Sequence, residues 1–98
     1  MTQPLPKLKA PESILLVVDD RPENLAAMEA VLDDSTWDVR TVDSGEAALQ
    51  VLLEEQVGLV LLDVQMPGMD GFEVARLMRG SPHTRYTPII FISAIAHT

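Results

Sequence analysis

Three apolar runs in this 98-residue sequence stop at an oxygen-bearing side chain. Ile14 to Val18 is closed by Asp19 and Asp20, Leu59 to Leu62 by Asp63, and Pro88 to Ile92 by Ser93. Each has an ordinary reading on its own. The acidic pair can be a charged strand end, Asp63 a turn residue satisfied by nearby N–H groups, and Ser93 a strand-end hydroxyl. Together they are harder to dismiss, because the other ends of the same runs carry Ser13, Gly58 and Pro88. If the runs are parallel neighbours in one sheet, the oxygens meet at its carboxyl edge, where open α/β sheets collect functional groups. Three carboxylates that close repel one another and raise one another's proton affinity, and a divalent cation removes that cost. Mg²⁺ is the natural occupant: a hard ion that takes one or two carboxylates and keeps waters for phosphate oxygens to replace.

The elements that must hold these residues follow from hydrophobic period. Ile14 to Val18 is an unbroken aliphatic run, the pattern of a strand buried on both faces. Pro22 suits a first helical turn, and Leu25, Met28, Val31 and Leu32 recur at helical spacing, which predicts a helix from about Pro22 to Asp33. Trp37 to Val42 reads as a second, less apolar strand at an edge, with Val39 and the Trp37 ring toward the core and Arg40 toward water. Ser44 suits an N-cap for a helix carrying Ala47, Ala48, Val51 and Leu52, with Gly58 as its stop signal. Leu59 to Leu62 is the third strand. Phe72, Ala75, Leu77 and Met78 give a third helix, capped by Asp70 and ended by Gly80-Ser81-Pro82. Pro88 to Ile92 is the fourth strand. Strand and helix alternating in this way is the α/β signature of a parallel sheet with right-handed crossovers.

Composition narrows the class. The length allows one domain. Fifteen acidic against seven basic residues give a net charge of −8, which argues against nucleic acid or an anionic membrane as partner and favours a cation or a basic surface. With no Cys, thiolate metal sites and Cys nucleophiles are excluded. A cytoplasmic setting is compatible with that count and is the expected one. No window reaches the ~18 to 20 apolar residues of a membrane span. Residues 1–13, with Pro4, Pro6 and Pro11, read as a flexible leader. His83 and His97 have no second ligand at metal spacing and read as solvated, and Arg76 and Arg79 sit where a helix dipole favours cations.

Over about Ile14 to Ala94 the sequence resembles the receiver domain of two-component response regulators. The segments are Leu16-Val17-Val18-Asp19-Asp20, Leu61 through Gly71 with its Asp63, Met66-Pro67 and Met69-Asp70-Gly71, and Pro88 through Ala94. The resemblance implies a flavodoxin-like, doubly wound sheet in the strand order second, first, third, fourth. It also implies that Asp63 is the phosphoacceptor and that Asp19, Asp20, Asp63 and the Gln65 backbone carbonyl hold Mg²⁺. Ser93 resembles the switch hydroxyl. The implied partners are a sensor histidine kinase or phosphotransfer protein and an output domain that these residues do not contain. The implied class is a switching module rather than an enzyme, catalysing only its own phosphorylation and dephosphorylation.

The chemistry agrees with the resemblance. A carboxylate is a competent nucleophile toward phosphorus in a loose transition state once the equatorial oxygens are neutralised. Two alternatives compete. One is a phosphorylation-deficient interaction module. The other is a Mg²⁺-dependent aspartyl-phosphate phosphatase, which wants an acid two residues past the nucleophile, where Gln65 stands. The family fold goes on to a further helix, strand and helix with a lysine, so 14–98 is expected to be a receiver truncated to about four strands and three helices. The fourth strand, Ile89 to Ile92, would then be an apolar edge, and self-association through it is expected.

Overall fold

The computed structural model describes residues 14–92. The expected leader and the calls on Ser93 and His97 lie outside them. Four strands and three helices alternate along the chain: β1 (Ile14–Val18), α1 (Pro22–Val31), β2 (Asp38–Val42), α2 (Gly45–Glu54), β3 (Val57–Asp63), α3 (Gly71–Arg79) and β4 (Ile89–Ile92). All strand pairs are parallel, in the order β2-β1-β3-β4. The α/β architecture and the strand order match the expectation.

β1 lies between β2 and β3, and all five of its residues are buried, as an unbroken aliphatic strand requires. Alternation splits the sheet into two faces. Leu16, Val18, Val60 and Leu62 form the core with Ala48 and Leu52 of α2, and Val74 and Met78 of α3 pack into the same cluster. The Ser44 side chain accepts from the Ala47 amide at 3.1 Å, and Asp70 accepts from the Glu73 amide at 2.9 Å, so both expected N-caps form. Arg76 pairs with Glu73 one turn earlier on α3, and Arg79 closes the α3–β4 connection by donating to the carbonyls of Thr84, Arg85 and Thr87.

Several local expectations are corrected. Gly58 is not a helix stop: α2 ends at Glu54, and Gly58 lies inside β3, which begins two residues before Leu59. α1 ends at Val31 rather than Asp33 and contains no fully buried residue, with Val31 77% exposed. Arg40 does not simply face water, since it binds Asp38 at 3.0 Å and approaches Glu55 at 3.7 Å. On α3 the core is met by Gly71, Val74 and Met78, whereas Phe72 points away from it and stacks, tilted, on Phe91 of β4 with ring centroids 5.3 Å apart. Among the described residues no helix is long and apolar enough to cross a membrane.

Candidate functional site: an acidic cluster at the carboxyl edge

The two central strands, β1 and β3, end side by side, with Val18 opposite Leu62. The next residues are therefore forced together. Asp19, Asp20 and Asp63 each place a carboxylate oxygen within 4.8 Å of the others. Asp19 and Asp63 are buried and Asp20 is half-buried. Burial pushes the Asp63 carboxyl above the usual carboxylate range. The Gln65 amide opposes this by donating to Oδ1 at 3.2 Å, and the negative charges of Asp19 and Asp20 reinforce the rise. The donor set is all oxygen, concentrated and short of positive charge, which fits a hard divalent cation such as Mg²⁺.

Asp19 is held from α1. Its Oδ1 accepts from the Arg21 amide at 2.9 Å and its Oδ2 from Asn24 Nδ2 at 3.1 Å, so both oxygens of this buried group are fixed at the start of the helix. Asn24 is a site residue that sequence reasoning missed. Its signal is the spacing of five from Asp19, which places an amide on the first turn of α1, and that is weak without a structure. Gln65 is exposed, with its amide engaged by Asp63.

Behind Asp63 the backbone is as constrained as the side chain. The Gly71 amide donates to Val64 O at 3.0 Å, closing the loop between β3 and α3. A methyl group at Gly71 would overlap the Asp63 carbonyl oxygen and lie 3.0 Å from Val64 Cα, so only glycine fits this approach. Gly68 has φ +74°, the left-handed conformation that lets the loop turn after Pro67. Met66 is buried in the core cluster. The loop that carries Asp63 is thus fastened at both ends. Above it opens a cleft of about 580 Å³, lined by Asp20, Arg21, Gln65, Pro67, Asp70 and Phe72 among others.

The sequence matches the response regulator receiver domain family over residues 15–98. The chain belongs to that family. As a receiver domain it is a phosphoacceptor signalling module, of the kind found in response regulators and in histidine kinases, and receiver domains bind Mg²⁺ at an acidic pocket such as this one. It is 41% identical over 81 residues to the response regulator PleD of Caulobacter vibrioides, which covers 83% of this chain and 18% of PleD. The chain thus spans under a fifth of that relative's length. The N-terminal domain of a response regulator receiver protein from Methanoculleus marisnigri superposes with a TM-score of 0.80 at 34% identity, covering 87% of this chain and 69% of that one. The receiver domain of the histidine kinase CKI1 from Arabidopsis thaliana, solved in complex with Mg²⁺ and BeF₃⁻, superposes at 0.76 with 27% identity, over 88% and 68% of the two chains.

Proposed function

We propose that this receiver takes a phosphoryl group from a phosphohistidine onto Asp63, with Asp19, Asp20, Asp63 and the Gln65 carbonyl holding Mg²⁺, and passes the change to an output domain or partner. The observation that carries the reading is the meeting of three carboxylates from two strand ends, with Asp63 buried and held by the Gln65 amide. In the transfer, a carboxylate oxygen of Asp63 forms a bond to phosphorus as the phosphorus–nitrogen bond of the donor breaks. The electron pair leaves with the imidazole nitrogen. Mg²⁺ supplies neutralisation of the equatorial oxygens. Asn24 and the Arg21 amide keep Asp19 turned inward, and the Gln65 amide keeps Asp63 in one rotamer through the reaction. Ser93, one residue past β4, is assigned as the hydroxyl that meets the new phosphoryl oxygens.

The donor is a sensor histidine kinase or a phosphotransfer protein, and the setting is the cytoplasm. Residues 14–98 are assigned to the receiver unit and 1–13 to a leader ahead of it. Two measurements test the reading. Mg²⁺ titrated against the parent and Asp20→Asn is expected to bind the variant about tenfold or more weakly, since a charged ligand is lost. Acetyl phosphate with Mg²⁺ is expected to give an acid-labile label that disappears in Asp63→Asn. Equal Mg²⁺ affinity in the two chains, or label that survives in Asp63→Asn, would refute the assignment.

A further inference from the structure

We propose that Arg21 is a second positive contact for the phosphoryl group: its guanidinium reaches across the cleft above Asp63 and binds phosphoryl oxygens. The inference rests on the phosphoacceptor reading of the same site. Pro22 follows Arg21 and confines its backbone to the extended region, where it lies at φ −101° and ψ 117°. The Arg21 amide is tied to Asp19 Oδ1 at 2.9 Å, so the base of this side chain is anchored at the acidic cluster itself. From there it lines the cleft together with Asp20, Gln65 and Asp70. An arginine side chain is long enough to cover the short distance from Asp19 to Asp63, whose carboxylates share a 4.8 Å cluster.

The charge inventory of the described residues separates Arg21 from the other cations. Arg40 is committed to Asp38 and Glu55, Arg76 to Glu73, and Arg79 to three carbonyls of the α3–β4 connection. Arg85 lies in that connection, which leads into the opposite end of β4. Arg21 makes no side-chain ion pair or hydrogen bond among the described residues, although it lines the cleft beside the Asp19, Asp20 and Asp63 cluster. A cation anchored beside buried carboxylates, exposed and without a partner among the described residues, is suited to an anion that arrives at the same place. The guanidinium fork matches two phosphoryl oxygens.

Beryllofluoride in the presence of Mg²⁺, followed by fluorine and amide NMR, isolates binding of the phosphoryl mimic from turnover. Arg21→Gln is expected to weaken beryllofluoride binding by about three- to tenfold, the range for a charge-assisted contact open to solvent, and Arg21→Lys to recover part of it. In the absence of beryllofluoride, Mg²⁺ affinity in Arg21→Gln is expected to stay level or rise, because a neighbouring positive charge has been removed. A purely structural role, exercised through the Arg21 backbone, would leave the parent, Arg21→Gln and Arg21→Lys alike. Equal beryllofluoride affinity in the parent and Arg21→Gln would overturn the inference and leave the function standing. Failure of the parent to bind beryllofluoride with Mg²⁺ would overturn the function and this inference together.

Discussion

Asp63 is a buried carboxylate facing two others, and its raised proton affinity makes it a stability liability whenever it is ionised without a cation. Because the folded state holds the proton more tightly than the unfolded chain, stability falls as pH rises from the ordinary carboxylate value of ~3.9 through the raised folded value. The penalty is complete once the pH exceeds that raised value. Asp63→Asn keeps an oxygen for the Gln65 amide and removes the charge. In metal-free buffer at pH 7 it is expected to be more stable by about 1 kcal/mol, or about 4–8 °C in melting temperature for a domain this size. Thermal melts across pH check the sign: the advantage should shrink to nothing below about pH 4. Added Mg²⁺ should raise the parent's melting temperature more than the variant's.

Gly71 belongs to the element scale, since it fixes how closely α3 approaches the end of β3. In Gly71→Ala the new methyl meets backbone, at the Asp63 carbonyl and Val64 Cα, and cannot be accommodated by a side-chain rotation. The substitution is expected to cost about 2–3 kcal/mol in denaturant unfolding and to weaken Mg²⁺ binding, because Asp63 must shift. Gly68→Ala is the control. It meets nothing within 4 Å and carries only the left-handed backbone cost of about 1–2 kcal/mol, so Mg²⁺ affinity should be kept. The elements themselves were largely legible in the sequence where burial is two-sided or a cap is chemical. β1 is delimited by aliphatic residues and then acids, and Ser44 and Asp70 sit where their oxygens cap helices. Helix faces were less legible. Apolar spacing on α1 predicts a buried stripe, but among the described residues the helix leaves Val31 out and keeps Leu25 and Met28 only half-buried. On α3 the tight approach at Gly71 turns Val74 inward and leaves Phe72 to stack on Phe91 instead. Of the site, the three carboxylates could be found from strand ends alone. Asn24 and the Gly71 contact could not, because a polar residue in a first turn and a glycine after a cap are common for local reasons.

At the scale of the whole molecule the two edges of the sheet differ in kind. β2 carries the Arg40 and Asp38 ion pair, the sort of charge that discourages another strand from pairing there. β4 is Ile-Ile-Phe-Ile without a charge, and Ile90 is 52% and Phe91 44% exposed. Among the described residues no strand lies beyond it. The 98-residue polypeptide is therefore expected to self-associate at micromolar concentration through β4, and Ile90→Lys to shift it toward monomer. Sedimentation velocity on both chains checks this. A monodisperse parent with slowly exchanging amides along Ile89 to Ile92 would contradict it.

The central place of β1 bears on how the protein is made. Of the four described strands β1 leaves the ribosome before the others and is apolar on both faces, yet one of its two neighbours, β3, starts about forty residues later. At a synthesis rate of about 5 to 20 residues per second, that interval is about 2 to 8 s. During it, β2 can protect one side of β1 and leave the other bare. The nascent chain thus carries this aliphatic segment half-covered for seconds, which makes Ile14 to Val18 a target for chaperones that bind short aliphatic stretches.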